Sequence, residues 1–329
     1  MPGPQSIKLN SGYDMPIVGF GIWKVPKDKT ADAVYNAIKL GYRQIDGAYD
    51  YMNSREAGEG VRRAIKDGLV KREEIFITSK LWNNYHERAR AIEMAKLEND
   101  SWGVGYLDLY LIHFPVALKY IPPSEIEWPC WWNDKEQTTV SEQIPVPIAE
   151  TWSALESLAI TKENPSGILR SIGVANFNAQ LLYDLLRSAK IKPAVNQIEH
   201  HPYLVQPDLV QMCQENGIAV TAYSSFGPQS FLELNHGRAH ATQPLFEHPV
   251  IKKLSDKYGK TPAQVLLRWA TQRSIAVIPK SNNEERLKQN LDCTSFDLTK
   301  EEIEEISSLD EGLRFNDPAD LSTPLRIFA

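Results

Sequence analysis

The chain has 329 residues, 42% hydrophobic and 24% charged, with a net charge of -6 at neutral pH. That composition supports a large buried core and excludes a disordered or collagen-like chain. The acidic balance argues against a nucleic-acid partner, and no apolar run approaches the roughly 18 residues that a membrane span needs.

From the N-terminus, Ile7, Lys8 and Leu9, the turn residues Asn10, Ser11 and Gly12, and then Met15, Pro16 and Ile17 predict a short β-hairpin. After it come eight short apolar runs, at 18–22, 43–46, 75–81, 107–114, 171–175, 194–198, 219–224 and 275–279. An amphipathic helical stretch follows each run, directly or after a loop. Helix signals are local and specific. Thr261-Pro262 puts a capping hydroxyl and an N1 proline ahead of 263–273. Gly68 and Gly217 stop the stretches 57–66 and 207–215, and Thr299 with Glu302 fits a capping box. Regular β/α alternation predicts a parallel sheet under helical cover. Eight such units in one chain favour a closed (β/α)8 TIM barrel, read as one α/β domain over 1–329. Two long segments, 117–146 and 226–247, are expected as loops at the C-terminal face, where barrel enzymes place their active sites. The segment 98–105 reads as irregular, and 161–167 as an inserted surface turn at the N-terminal face.

Residues at the strand ends could do chemistry. Asp46 ends the second run, with Tyr51 five residues on; Lys80 and His113 end the third and fourth. Reducing an aldehyde needs a hydride on carbon and a proton on oxygen. Tyr51 could supply the proton, and an ammonium on Lys80 is expected to lower its pKa from the usual 10 or so. A buried Lys80 needs an anion, for which Asp46 is the candidate. His113 could hydrogen-bond and orient the carbonyl oxygen. Taken singly, each has a plainer reading as an ion pair, a loop anchor or a structural histidine. Their joint occurrence at three consecutive strand ends points to a site.

The stretches Gly41–Tyr51, Thr78–Asn83, Asp108–Pro115 and Ile278–Asn282 resemble the signatures of the aldo-keto reductase family, over nearly the whole chain. Within it, Leu9–Gly12, Gln197–Tyr203, Thr221–Gln229 and Arg314–Pro318 are similar to the fungal xylose (aldose) reductase group. The resemblance implies a barrel that binds NADPH in extended form without a Rossmann fold. Gly19-Phe20-Gly21 indeed lacks the third glycine of a dinucleotide fingerprint. It implies a catalytic tetrad of Asp46, Tyr51, Lys80 and His113. It puts Tyr223, with Ser224 beside it, against the nicotinamide and Asn176 and Gln197 on the carboxamide. Lys280, Ser281, Asn282 and Arg286 fall around the 2′-phosphate, and Gln289 and Asn290 near the adenine. Glu233 matches a residue associated with the ribose and with use of NADH as well. The implied substrate pocket is Trp23, Asp50, His113, Phe114, Phe226 and Asn316. The implied reaction is reduction of aldoses to polyols, D-xylose to xylitol and also L-arabinose. A homodimer is compatible with the resemblance.

One departure stands at the fifth strand, where Ala175 replaces the usual serine, so a weaker hold on the cofactor is expected. Cys130, Cys213 and Cys293 are scattered without a CxxC pair. They and the absence of a signal-like start at Met1–Ser6 point to the cytoplasm. Other readings are a general aldehyde reductase of the same family, a Schiff-base aldolase using Lys80 and a non-catalytic nicotinamide-binding subunit. A metal site at Glu199, His200 and His201 is disfavoured because adjacent strand residues face opposite ways, and no metal is expected.

Overall fold

The structure is a computed structural model describing residues 5–128, 130–234, 236–321 and 325–328. Strands β1 (Ser6–Lys8) and β2 (Asp14–Pro16) pair antiparallel, Ile7 opposite Met15, so the expected hairpin is present. Gly12 turns it at a φ of 91°, a left-handed conformation that glycine adopts without a Cβ clash. At its tip, Asn10 Nδ2 donates to the carbonyls of Pro193 (2.9 Å) and Gly217 (3.1 Å), and the Ser11 and Ser171 hydroxyls meet at 2.8 Å. These partners precede strands of the main sheet, so the hairpin packs on its N-terminal end.

Eight parallel strands follow: β3 (Phe20–Gly21), β4 (Gln44–Asp46), β5 (Phe76–Leu81), β6 (Leu109–Ile112), β7 (Ile172–Ala175), β8 (Val195–Glu199), β9 (Ala219–Tyr223) and β10 (Ile275–Val277). They are hydrogen-bonded in chain order from β3 to β10. The Gly19 amide donates to the Val277 carbonyl (2.8 Å) and the Val277 amide to that of Ile17 (2.9 Å), which closes the curled sheet into a barrel. Gly21 sits at this seam, where a Cβ would stand 2.5 Å from the Ile278 carbonyl oxygen. Every expected run contains a strand, but most ladders are shorter. The strand in the run 107–114 ends at Ile112, and the His113 amide still donates to the Leu81 carbonyl (3.0 Å) beside the site.

Helices α1 (Lys27–Leu40), α2 (Ser54–Lys66), α3 (Arg88–Trp102), α4 (Ile148–Glu156), α5 (Ala179–Ser188), α6 (Pro207–Glu215), α7 (Gly237–Ala241), α8 (Pro249–Tyr258), α9 (Pro262–Thr271), α10 (Glu284–Leu291) and α11 (Lys300–Ser307) are interleaved with the strands. Thr261 and Gln264 cap α9 reciprocally, and Thr299 and Glu302 do the same for α11. Trp102, Trp152 and Trp269 are fully buried. At about 25 cal/mol per Å² over roughly 150–250 Å², each contributes on the order of 4–6 kcal/mol before entropy.

Two expectations fail. The segment 98–105 is not irregular at its start: α3 continues through Trp102 and stops at Gly103, whose φ is 60°. Burial explains the continuation. Glu98 Oε1 accepts from Ser79 Oγ (2.7 Å), Trp102 Nε1 (3.1 Å) and Ser54 Oγ, tying the last turn to the core. Nor is 226–247 a plain loop, since it holds 3-10 turns at Gly227–Ser230 and Leu232–Leu234 and then α7. The segment 117–146 is crossed by antiparallel bridges, Leu118 with Gln143 and Trp132 with Val140. The inserted turn at 161–167 precedes β7 and is ordered by Asn164, whose Nδ2 donates to the Ser157 and Ala159 carbonyls. Among the described residues, no helix is long and apolar enough to cross a membrane.

Candidate active site

The C-terminal ends of the strands surround a cleft of about 880 Å³. β4 delivers Asp46 to its floor. The chain then makes a 3-10 turn, Tyr49–Tyr51, and reverses at Met52 with a φ of 58° before α2 begins. That turn swings Tyr51 back over β5. There Lys80, wholly shielded from solvent, donates to Asp46 Oδ1 (2.7 Å), the Gly47 carbonyl (2.8 Å) and Tyr51 Oη (3.1 Å). All three ammonium hydrogens are engaged. The second Asp46 oxygen accepts from Gln197 Nε2 (2.8 Å), so the carboxylate is answered on both sides.

The expected direction of the Tyr51 shift is overturned. Burial pushes the phenol well above its ordinary value, and the carboxylates of Asp46 and Asp50 and the Tyr223 phenol add to the rise. Tyr51 is therefore a neutral phenol that keeps its proton until a stronger base meets it. Because the ammonium of Lys80 occupies a lone pair of the phenol oxygen, the hydroxyl hydrogen is left to point elsewhere.

His113 stacks on Phe114, with centroids 5.1 Å apart, and meets the edge of Trp82 at 5.3 Å. Its Nδ1 is shut away from solvent, 3.1 Å from Asp50 Oδ1 but without a well-aligned hydrogen bond. Nε2 is thus the ring nitrogen left to meet a ligand. On the far side, the Tyr223 hydroxyl donates to Asn176 Oδ1 (2.7 Å) and accepts from Asn316 Nδ2 (3.1 Å). Asn176 Nδ2 in turn donates to the His113 carbonyl (2.9 Å). Asn176 and Ser224 adopt positive φ, 63° and 52°, directly after strand ends. Such conformations cost about 1–3 kcal/mol and persist where the surroundings enforce them, commonly at functional sites.

The cleft then runs to the start of α10, where Lys280, Ser281, Arg286, Gln289 and Asn290 line it. Asn283 caps this helix by accepting from the Arg286 amide, and its own amide donates to Ser281 Oγ. Trp23, Phe114, Phe226 and Asn316 line the mouth together with Asp50 and His113. Of the residues expected at the site, only Lys80 and Asn282 do not line the cleft. Lys80 sits behind Tyr51. Asn282 is exposed beside the cleft, next to Ser281.

The structure adds residues that the sequence reading missed. Lys24 donates to the Ser230 carbonyl and pairs with Glu233, both at 2.6 Å, while Lys280 stands 3.7 Å from the same carboxylate. Glu233 thus bridges two lysines across the cleft instead of standing free. Lys24 holds its carboxyl below the ordinary range. Trp82, Trp128, Cys130 and Trp131 also line the cleft, and Trp82 meets both other indoles edge-on at 5.7 and 5.2 Å. For Trp128 and Trp131 a signal was present, since 117–146 is rich in tryptophan, but which rings turn inward is a matter of loop path. Glu199, set aside above as a metal ligand, lies 2.9 Å from His201 Nε2 and faces the C-terminal segment.

The donor set suits a phosphorylated dinucleotide. It offers a guanidinium, an ammonium and a hydroxyl at one end, amides and an aromatic face at the other, and a cleft long enough to join them.

The sequence model for the Aldo/keto reductase family matches residues 17–311. A protein of Pyricularia oryzae, an NAD(P)H-dependent pentose reductase by name, is 70% identical over 323 residues, covering 98% of each chain. One of Emericella nidulans, a probable NAD(P)H-dependent D-xylose reductase, is 59% identical over 325 residues, covering 99% of each. Among solved structures, that of a Bombyx mori aldo-keto reductase in complex with NADP superposes with a TM-score of 0.85 at 35% identity, covering 99% of both chains.

Proposed function

The chain belongs to the aldo/keto reductase family, and from that premise we propose that it reduces small aldoses, D-xylose to xylitol and L-arabinose to its polyol, with NADPH and also with NADH. The observation that carries this reading is the ammonium of Lys80, held at once by Asp46, Gly47 and Tyr51 at the floor of the cleft. The cofactor, when bound, supplies the hydride. The chain's own residues do the rest. His113 Nε2 and the Tyr51 hydroxyl converge on the carbonyl oxygen and orient it. As negative charge grows on that oxygen, it becomes a far stronger base than a phenolate, so Tyr51 gives up its proton despite its raised pKa. Lys80 then stabilises the phenolate it already touches. Asp50 Oδ1, buried and lacking a well-aligned partner, and the Asn316 amide are the groups offered to sugar hydroxyls. A polyhydroxy aldehyde satisfies them where a simple alkyl aldehyde does not.

The aldolase alternative needs a free Lys80 amine. Three hydrogen bonds and complete burial leave none. A panel of kcat/KM values for aldoses with NADPH and NADH tests the proposal: turnover of pentoses is expected, and no aldose turnover with either cofactor would overturn it.

We assign Lys280, Ser281 and Arg286 to the 2′-phosphate. Arg286→Ala is expected to raise KM for NADPH roughly tenfold, the loss of one charge-assisted contact, and to leave KM for NADH within twofold. Initial rates with both cofactors check this. Ala175 is buried at the end of β7 beside Asn176. Ala175→Ser is expected to tighten NADPH two- to fivefold, on the order of one modest hydrogen bond. Titration of the cofactor's fluorescence measures it, and no gain would contradict the role given to the missing hydroxyl. We read 1–329 as one domain and the enzyme as a cytoplasmic homodimer. The three free cysteines are consistent with a reducing compartment, and sedimentation velocity tests the dimer.

A further inference from the structure

Glu199 is a buried carboxylate that the reaction as described leaves idle. It ends β8 with no exposure to solvent. Its oxygens accept two consecutive backbone amides of the C-terminal segment, Phe315 on Oε1 (2.8 Å) and Asn316 on Oε2 (2.9 Å). His201 Nε2 lies 2.9 Å from Oε1, and Arg314 Nη1 stands 3.9 Å from Oε2. Burial alone would raise its carboxyl, but His201, Arg314 and the Phe315 amide together hold it below the ordinary range. The carboxylate is therefore a strong acceptor in a dry setting, where charge-assisted bonds to N–H groups are about twice as strong as neutral ones. Gln206 completes the fastening: its Nε2 donates to the Glu199 carbonyl (2.7 Å) and its Oε1 accepts from Arg314 Nη2 (3.2 Å).

What this fastening fixes is specific. The segment from Gly312 to Asp317 forms no helix or strand; the Leu313 amide donates to the Tyr203 carbonyl (2.8 Å), and from Arg314 to Asn316 its path is held by side-chain anchors. Two adjacent amides held by one carboxylate set the direction of the backbone at Asn316, and with it the side chain that enters the cleft. Asn316 Nδ2 reaches the Tyr223 hydroxyl, from which hydrogen bonds run through Asn176 to the His113 carbonyl. The clamp thus lies at one end of a chain that crosses the cleft to the strand carrying His113.

We propose that Glu199 is a positioning residue that sets substrate preference, clamping the 314–316 segment so that the Asn316 amide stands where a sugar hydroxyl binds. The proposal rests on the reductase reading above. It differs from a general structural role in what it moves: loosening the clamp penalises substrates with hydroxyls beside the carbonyl and spares those without.

Glu199→Gln tests it. The amide is isosteric but presents one acceptor oxygen, so its NH2 group faces one of the two backbone amides and leaves that donor unpaired. Kinetics on D-xylose and on propanal, with melting temperature as a fold check, are measured for the wild type, E199Q, N316A and the double variant. The expected result is a roughly tenfold fall in kcat/KM for D-xylose in E199Q, borne mainly by KM, with propanal changed less than twofold. Asn316→Ala is expected to lower kcat/KM for D-xylose at least as far, and the double variant to be no worse on xylose than N316A alone, because both act through one side chain. Equal losses on both aldehydes, or losses that multiply in the double variant, would overturn the clamp while leaving the reductase reading intact. A wild type that reduces neither aldehyde would overturn both.

Discussion

Tyr51→Phe is expected to lower kcat for aldose reduction about a thousandfold while leaving NADPH affinity within twofold. The phenol is the one hydroxyl that Lys80 holds at hydrogen-bonding distance, and general acids of this kind contribute roughly 10²–10⁴ in rate. The ring itself is retained by phenylalanine, so its packing near His113, at 6.1 Å between centroids, is little disturbed. Removal of an interaction made only as charge develops lowers kcat and kcat/KM together. Steady-state kinetics with direct cofactor titration distinguish this from loss of binding. A fall in cofactor affinity with kcat preserved would remove Tyr51 from the acid role.

Lys80→Met is expected to damage both activity and stability. The thioether roughly fills the space of the lysine stem but leaves the Asp46 carboxylate buried, with Gln197 as its remaining partner. Leaving one member of a buried ion pair uncompensated typically costs about 3–5 kcal/mol. Activity is expected to fall at least a hundredfold, because the phenolate formed at Tyr51 loses its stabilising cation. The double variant Asp46→Asn/Lys80→Met separates the two effects: much of the stability is expected to return, since no buried charge remains, and the activity is not. Thermal denaturation and kcat for the wild type and the two variants check this. Recovery of activity in the double variant would mean that Lys80 acts on the fold alone.

The barrel was legible from the sequence because its signals are local. The eight apolar runs, the hydroxyl caps at Thr261 and Thr299 and the glycines at 68 and 217 each act within a few residues. That Asp46, Lys80 and His113 stand together was legible for a related reason: neighbouring parallel strands bring their ends to one face. The acidity of Tyr51 was not legible. Its direction depends on how deeply the 3-10 turn at Tyr49–Tyr51 buries the phenol and on the carboxylates around it, and no local pattern encodes that competition. Gln197 lines the cleft, and the bond of its amide nitrogen to Asp46, 151 positions away in the chain, has no local signal. Lys24 carried no signal because its partners, Ser230 and Glu233, come from a loop two hundred residues downstream. The helical turn through Glu98 and Trp102 was missed for the same reason. The donors that stabilise that buried carboxylate, Ser54 and Ser79, lie in other elements. Where the sequence misled, long-range burial overrode local pattern.

The most direct test uses NADPH carrying deuterium at the transferable position, with D-xylose in ordinary water and the product analysed by mass spectrometry and NMR. Xylitol with one deuterium at C1, formed by the wild type and reduced about a thousandfold in rate by Tyr51→Phe, is the predicted result. Absence of labelled xylitol, or its formation at an undiminished rate by Tyr51→Phe, would contradict hydride transfer completed by this phenol.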